Sequence, residues 1–236
     1  QNSDSLREFL PRSVMVAYNK VNPRVGIRAI IKQIQKNILT ITDVVFIIAP
    51  RINAAGRIKH GQYAVNLLVE ESLAKAEEMA AEIEAFNLER KDLDKVITEE
   101  ALQMISENKE EQRYTSVVFK DNWHKGVIGI FASRLTESYY RPTLVFTKSG
   151  DKLAASARSV KGFDVYNALE QCTDYIEQFG GHKYAAGLTI LEEQYKDFKS
   201  RFEQVVAKTI NPELLIPEII IDAEINLIQI NQKLMR

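Results

Sequence analysis

The feature that most constrains the fold of this chain is an uninterrupted helical stretch from Leu73 to about Asn108. Ala, Glu, Lys and Leu dominate the stretch, no Gly or Pro interrupts it, and its apolar residues keep roughly helical spacing. At about 1.5 Å per residue, such a helix would span roughly 50 Å. Residues 70–111 also carry a net charge of −9. Length and acidity together predict a rod that joins two domains rather than a helix buried within one.

Composition excludes several classes of protein. Of the 236 residues, 45% are hydrophobic and 27% are charged, which is not the composition of a disordered tail. No apolar run approaches the roughly 20 residues of a membrane span. The first twelve residues lack the apolar centre of a secretory signal, and the single cysteine, Cys172, excludes an internal disulfide framework or a cysteine-built zinc site. These features predict a cytoplasmic protein without a membrane partner.

The segments on either side of the rod differ in pattern. Before it, Arg28–Asn37 and Gly61–Val69 are predicted helices, and the apolar run Asp43–Ala49 fits either a strand or a buried helical turn. After it, strands are predicted at Thr115–Phe119, Thr143–Phe146, Lys152–Ser156 and Leu188–Leu191, and helices at Gly126–Tyr139, Val165–Phe179 and Tyr195–Ala207. This alternation predicts an α/β domain over residues 112–210.

The two ends of the sequence predict a piece of a longer protein. The sequence begins with Gln1 rather than Met, and Ile216–Ile228 alternates apolar and polar residues as a β-strand does. A lone strand is not stable, and the sequence ends at Arg236 before a partner strand follows.

The net charge of −1 is unevenly distributed. Residues 1–69 carry +7 and residues 112–190 carry +3. Local positive potential keeps a nucleic-acid or phosphate partner open. The alternative is an acidic, solvated helix that balances two ordinary domains, and charge alone favours this alternative.

Two stretches combine glycine with basic residues near predicted helices. In RINAAGR (Arg51–Arg57), two guanidinium groups flank small residues that allow close backbone approach, although the stretch by itself favours a helix cap with surface arginines. In WHKGVIGI (Trp123–Ile130), two glycines stand where a helix begins, so backbone amides there suit an anion approached by His124 and Lys125. The alternative is that these glycines permit tight helix–sheet packing and that Trp123 is a core residue.

Two further stretches lie in the predicted α/β domain. ASARS (Ala155–Ser159) places Ser156, Arg158 and Ser159 at the end of a strand, as in a phosphate clamp. GGHKYAAG (Gly180–Gly187) exposes His182 on a flexible turn that is predicted between a helix and a strand, although a lone histidine is more often structural. Metal-binding motifs such as HExxH and CxxC and the Walker loop are absent, and Asp92-Leu93-Asp94 indicates solvated helix surface rather than a metal site.

In this order and spacing, RINAAGR, WHKGVIGI, ASARS and FGGHKYAAGLTI resemble the RecJ family of single-strand-specific exonucleases in the DHH phosphoesterase superfamily. The resemblance covers roughly Pro23 to Ile190. It implies an α/β fold in which residues 1–70 end a catalytic DHH domain, 71–111 form the connecting helix, 112–210 form the DHH-associated domain and 211–236 begin an oligonucleotide-binding fold. One position departs from the family pattern, because Ala155 stands where the family usually has glycine.

The same resemblance implies a function. The chain would be part of a 5′-to-3′ exonuclease that acts on single-stranded DNA in repair and recombination. The ligands for its two Mn²⁺ or Mg²⁺ ions would lie upstream of this chain, so the chain alone would have no activity. Single-stranded DNA is the implied partner, with a single-strand-binding protein or a helicase as a further candidate. The implied phosphate-binding and nucleotide-binding residues are Asn53, Arg57, His124, Ser156, Arg158, Ser159, Gly181 and His182, and His182 also has a candidate role in positioning the substrate.

Two other functions remain open from the sequence. One is a DHH phosphodiesterase for short oligonucleotides or cyclic dinucleotides, and the other is a non-catalytic DNA-binding scaffold. An oligonucleotide-binding fold after Ile216 would favour the exonuclease, and the residues upstream of Gln1 would distinguish an enzyme from a scaffold.

Overall fold

The computed structural model describes residues 23–35, 39–219, 221–226 and 230, and its first part is helical. The helices before the acidic stretch are α1 (Val25–Ile34), α2 (Ala49–Ile58) and α3 (Gln62–Val69). A helical turn at Ile41–Asp43 and a π-helical turn at Val44–Ile48 lead directly into α2. The Thr40 hydroxyl accepts from the Asp43 amide and thereby caps this helical run, so the helical alternative for residues 43–49 is correct.

The long helix is confirmed as α4 (Leu73–Glu107), which runs for 35 residues without a break. Its first half contributes Ala76, Ala80 and Ile83 to a core with α1, α2 and α3. Its second half contributes Ile97, Ala101 and Ile105 to a different core with the α/β part. The helix therefore connects two cores, as expected, but each half of it is also packed within one of them.

A five-stranded mixed sheet follows α4. Its strands are β1 (Ser116–Phe119), β2 (Thr143–Ser149), β3 (Lys152–Arg158), β4 (Gln178–His182) and β5 (Ala185–Leu191). The strand order is β1-β2-β3-β5-β4, with β1 parallel to β2 and the other neighbours antiparallel. The expected α/β class is therefore correct in its coarse form, a mixed sheet with helices on both faces.

The two faces of the sheet are covered differently. One face packs through Phe146 and Leu153 against α6 (Val165–Glu170) and α7 (Tyr195–Thr209). The other packs through Val118 and Val145 against α5 (Ile128–Tyr139). This second face also carries Ser156 and Arg158 on β3, Gly187 on β5 and Gly180 on β4, and we call it the open face because both glycines are exposed.

Two predicted elements are wrong near the glycine-rich stretch. The helix predicted at Val165–Phe179 ends at Glu170, and Phe179 lies instead in β4. GGHKYAAG is consequently not a turn between a helix and a strand, because β4 and β5 form a hairpin with Lys183 and Tyr184 at its tip. Pairing with β5 satisfies those backbone groups of residues 178–182 that face β5, and this non-local gain overrides the helical pattern.

Two other predictions need correction. Arg51–Arg57 lies inside α2 and does not cap it. The strand predicted at Ile216–Ile228 is not formed by residues 216–219 and 221–226, and in that described part Ile219 and Ile221 remain exposed. Within the described residues no strand lies beside this segment, so its backbone has no ladder to join there.

Candidate phosphate-binding site

The register of the sheet brings the ASARS and GGHKYAAG stretches together on the open face. Arg158 of β3 lies opposite Ala185 of β5, which in turn lies opposite His182 of β4. Ser156 lies two residues from Arg158 on the same strand, so both side chains share this face. The open face thus carries the half-buried guanidinium of Arg158, the hydroxyl of Ser156 and the exposed imidazole of His182 close together.

The second glycine of WHKGVIGI packs directly on this group. A Cβ added to Gly129 would lie 3.0 Å from the Ser156 Oγ and 3.2 Å from the Arg158 Nη2. The tight-packing interpretation of this glycine is therefore correct, and the surface against which it packs consists of the predicted phosphate ligands. Helix α5 reaches the sheet closely enough to hold the Arg158 side chain because residue 129 has no side chain.

A serine that the sequence analysis missed fixes the Arg158 side chain. The Arg158 Nε donates to the Ser133 Oγ at 3.1 Å, and its Nη1 donates to the Ala157 carbonyl at 2.8 Å. The Ser133 hydroxyl in turn donates to the Gly129 carbonyl at 3.2 Å, one helical turn earlier. These two bonds use the Nε and Nη1 of the guanidinium, so the Nη2 donors remain for a ligand.

The first glycine of WHKGVIGI joins this part of the chain to α2. The Arg57 Nη1 donates to the Gly126 carbonyl at 3.3 Å. A Cβ added to Gly126 would lie only 2.0 Å from the Arg57 carbonyl oxygen, so nothing larger than glycine fits at this contact. Residue Ile58 also belongs to the core built around α5, which holds the end of α2 in place.

Arg57 and Arg158 form an uncompensated positive site. Burial lowers the pKa of the Arg158 guanidinium below its usual value, and the positive charge of Arg57 lowers that pKa further. Among the residues that the structure describes, no carboxylate forms an ion pair with either arginine. Two guanidinium groups that are close enough to influence each other and have no carboxylate partner among the described residues would be stabilised by an anion with several acceptor oxygens, such as a phosphate.

The two histidines predicted for the site have the same local geometry. The His124 Nδ1 accepts from the Gly126 amide at 3.1 Å, and the His182 Nδ1 accepts from the Tyr184 amide at 3.4 Å. A ring whose Nδ1 accepts a hydrogen bond carries its proton on Nε2 when neutral. Each imidazole is therefore set to donate from Nε2.

The remaining predicted residues differ in their roles. Asn53 is exposed and lies one helical turn before Arg57 on the same face of α2. Ser159 uses its hydroxyl within its own loop, since the Oγ donates to the Phe163 carbonyl at 3.1 Å. Gly181 is explained by the hairpin, because its φ is 153° and an added Cβ would lie 2.4 Å from the Ala185 carbonyl oxygen.

Two expectations about individual side chains change. Asp94 is not solvated, because it is buried and pairs with the Arg134 Nη2 at 2.7 Å. The methyl group of Ala155 belongs to the core on the opposite face of the sheet, so the departure from the family's glycine leaves the open face unobstructed.

Neither a metal cluster nor a membrane helix is found where the structure can be described. Within those residues, no three His, Cys, Asp or Glu side chains are grouped so that they could hold a metal ion. Of the described helices, none is both long enough and apolar enough to cross a bilayer.

Comparison with known proteins gives a consistent family assignment. Residues 111–208 match the DHHA1 domain family. The chain is 41% identical over 174 residues to the single-stranded-DNA-specific exonuclease RecJ of Bacillus subtilis, covering 73% of this chain and 22% of that protein. It is 36% identical over 213 residues to the RecJ of Haemophilus influenzae, covering 86% of this chain and 37% of that protein.

A solved structure supports the same assignment. RecJ from Thermus thermophilus in complex with Mg²⁺ superposes with a TM-score of 0.72 at 28% identity, over 83% of this chain and 30% of that one. The chain thus spans between about a fifth and two fifths of the length of the curated relatives cited above.

Proposed function

We propose, for a chain that is homologous to the RecJ exonucleases and carries a DHHA1 domain, that it binds the 5′-phosphate end of single-stranded DNA within a RecJ-type exonuclease. The observation that carries the proposal is the pair of guanidinium groups, Arg57 from α2 and Arg158 from β3, with no carboxylate partner among the described residues. A terminal phosphate offers more acceptor oxygens and more charge than an internal one, so it suits this pair best.

The other predicted residues take supporting roles in this proposal. The His124 and His182 Nε2 groups donate to phosphate oxygens, and the Ser156 hydroxyl completes the clamp from β3. Asn53 lies on the α2 face that leads toward Arg57 and contacts the following nucleotide. Ser159 and Gly181 act indirectly, by shaping the loop and the hairpin that position His182.

The residues at this site do not fit a metal ion. Two guanidinium groups repel a dication, and carboxylates, the ligands that Mg²⁺ and Mn²⁺ prefer, do not contact them in the described part of the chain. We therefore assign binding and orientation of the DNA end to these residues and derive no hydrolytic step from them. The Mn²⁺ or Mg²⁺ ions of the exonuclease reaction belong, in this proposal, to ligands upstream of this chain.

The direct test is the affinity of the 236-residue chain for a short labelled single strand with a 5′-phosphate and for the same strand with a 5′-hydroxyl. We expect the 5′-phosphate to strengthen binding. We expect Arg57→Ala or Arg158→Ala to lower the affinity for the phosphorylated strand roughly 10- to 100-fold, the range for hydrogen bonds to charged groups. The matched control is Arg201→Ala, because the Arg201 Nε also donates to a backbone carbonyl, that of Gln171, and Arg201 lies on α7, which packs on the opposite face of the sheet.

Two outcomes would redirect the proposal. Equal affinity for the two strands in the unmodified chain would contradict 5′-phosphate recognition. A phosphorylated dinucleotide that binds as tightly as the longer strand would favour a phosphodiesterase for short oligonucleotides instead. A cytoplasmic location and an interaction with a single-strand-binding protein or a helicase remain predictions.

The chain alone is expected to release no nucleotide from labelled single-stranded DNA in the presence of Mn²⁺. Sustained release that copurifies with the chain would contradict the placement of the hydrolytic ligands upstream.

A further inference from the structure

A shallow depression lies on the open face beside the arginine pair. It has a volume of about 310 Å³, and its floor is formed by β3, β5 and β4. The residues of its floor and wall on this face are Lys125, Ala154, Gln178, Gly180, Gly187 and Thr189. Helix α5 covers the same face over β2 and β3, whereas Gly180 and Gly187 remain exposed.

The two glycines in the floor are not required by the fold. A Cβ added to Gly180 would meet no atom within 4 Å, and one added to Gly187 would lie 3.8 Å from the Ala155 carbonyl oxygen, an ordinary contact. Neither glycine has a positive φ, in contrast to Gly181 between them in the hairpin. Glycine inside a strand weakens it, so a glycine that the fold does not need indicates close approach by a ligand.

The depression lies at a suitable distance from the arginine pair to accept the rest of one nucleotide. The row of Ser156, Gly187 and Gly180 follows the row of Arg158, Ala185 and His182 by two residues along each strand, or about 6.7 Å. The next row, a further 6.7 Å or so away, contains Thr189 and Gln178. A positive site is thus followed by a row in which Gly187 and Gly180 have no side chain, and then by side chains with hydrogen-bonding groups.

We propose that this depression binds the base of the nucleotide whose 5′-phosphate is held by Arg57 and Arg158. The flat ring lies over Gly180 and Gly187, and its edge faces the Gln178 amide and the Thr189 hydroxyl. The Gln178 amide has donors and an acceptor, so it can pair with the edge of any base. The proposal rests on the proposed function, because the phosphate site sets which group reaches the depression.

A base explains the surface better than a peptide strand does. An added strand would pair along the free edge of β4, where backbone groups are unpaired, whereas the depression lies on the face of the sheet. An apolar peptide side chain would also leave the polar row of Gln178 and Thr189 and the adjacent guanidinium pair without a role.

The test compares two 5′-phosphorylated single strands that differ only at the terminal nucleotide, which carries either adenine or no base. We expect the unmodified chain to bind the adenine strand roughly fivefold more tightly, the scale of one hydrogen bond between the edge of the base and the Gln178 amide or the Thr189 hydroxyl. In the combined variant Gly180→Ala with Gly187→Ala, this ratio should fall to about one because two methyl groups occupy the floor. Its preference for a 5′-phosphate over a 5′-hydroxyl should stay unchanged, and its unfolding temperature should not fall, because alanine without a clash stabilises a strand relative to glycine.

The matched control is Gly61→Ala, since an added Cβ there also meets nothing within 4 Å and Gly61 has an ordinary φ of −56°. This variant should keep the full ratio. Gln178→Ala gives a second readout that leaves the floor intact, and it should reduce the ratio without affecting phosphate preference.

The outcomes separate this inference from the proposed function. If the unmodified chain prefers the 5′-phosphate but binds both terminal nucleotides equally, or if the double glycine variant keeps the ratio, the base site is wrong and the phosphate site stands. If the unmodified chain shows no preference for the 5′-phosphate, the proposed function fails and the base site fails with it.

Discussion

The Arg158 Nε donates a hydrogen bond to the Ser133 Oγ at 3.1 Å, across the interface between β3 and α5. This bond fixes the plane of the guanidinium and turns its Nη2 toward Gly129, at the edge of the open face. Ser133 itself needs no further partner, because its hydroxyl donates to the Gly129 carbonyl. A residue that contacts no ligand thereby sets the direction of the group that does, and orientation is what a bidentate contact to phosphate depends on.

We predict that Ser133→Ala weakens binding of a 5′-phosphorylated single strand roughly fivefold, as expected for about 1 kcal/mol from one hydrogen bond. The matched control is Ser138→Ala, because the Ser138 hydroxyl makes the same backbone contact on α5, to the Arg134 carbonyl at 3.0 Å, and has no second partner in the described part of the chain. Titration by fluorescence anisotropy measures both affinities.

A double-mutant cycle separates orientation of Arg158 from a general effect on α5. Lysine has no Nε, so Ser133→Ala should cause no further loss of affinity in an Arg158→Lys background. Equal losses for Ser133→Ala in both backgrounds, or equal losses for Ser133→Ala and Ser138→Ala, would show that the hydrogen bond does not orient the guanidinium.

The contact between Gly126 and Arg57 should be intolerant of any side chain. A methyl group at residue 126 would lie 2.0 Å from the Arg57 carbonyl oxygen, so one of two backbones must move. We predict that Gly126→Ala lowers the free energy of unfolding by about 1–3 kcal/mol, as overpacking typically does. It should also reduce the effect of Arg57→Ala on DNA affinity, because Arg57 would already be displaced. Urea unfolding measures the first effect, with Gly61→Ala as the control, and unchanged stability of Gly126→Ala would contradict the contact.

The stability of the fold should depend on pH through Glu100 of α4, which accepts hydrogen bonds from the segment between β1 and α5. A hydrogen bond from the Lys120 Nζ at 2.6 Å and one from the Trp123 Nε1 at 2.7 Å lower the pKa of the Glu100 carboxyl below its usual value. A carboxyl with a lowered pKa in the folded state stabilises the fold above its ordinary pKa, and this contribution is lost as the pH falls through the lowered value.

The measurement is the urea midpoint of the unmodified chain and of Glu100→Gln, at a pH of about 7 and at a pH of about 3. The midpoints should differ at the higher pH, and the difference should become smaller at the lower one. The control is Glu99→Gln, because Glu99 lies on the exposed side of α4 and, among the described residues, pairs only with Lys95 at 3.9 Å. A difference between Glu100→Gln and the unmodified chain that stays the same at both pH values would contradict the prediction.

The elements that were predictable from sequence are those whose causes are local. The helix from Leu73 follows from residue type and spacing, and its observed end at Glu107 lies within one residue of the prediction. The prediction of a helix over Val165–Phe179 failed because residues 178–182 form β4, which is stabilised by pairing with β5, and no local pattern encodes this pairing. The residues of the candidate site were recognisable as small and basic clusters along the chain. Ser133 was not, because a serine inside a helix has no distinctive pattern and its bond to Arg158 depends on how α5 packs on β3.

The salt dependence of binding should reveal how many phosphates the site contacts. Contact to a few phosphates releases few counterions, so log affinity should fall with log salt at roughly 0.7 per contact for a single strand. Arg158→Ala should reduce this slope by about one contact and weaken strands of every sequence alike, because phosphate contacts carry no base information. Arg158→Lys should restore the slope but only part of the affinity, since an ammonium group keeps the charge and loses the planar fork.

The comparison of slope with affinity distinguishes a phosphate ligand from a packing residue. A packing role for Arg158, which also contacts Ser133 and the Ala157 carbonyl, would lower stability and leave the salt slope unchanged. Anisotropy titrations at several salt concentrations, made alongside urea unfolding of the same variants, measure both quantities. Arg201→Ala should leave the slope as it is, because that guanidinium lies on α7, which packs on the face of the sheet opposite the open face. An unchanged slope in Arg158→Ala, with the fold intact, would remove Arg158 from the binding site.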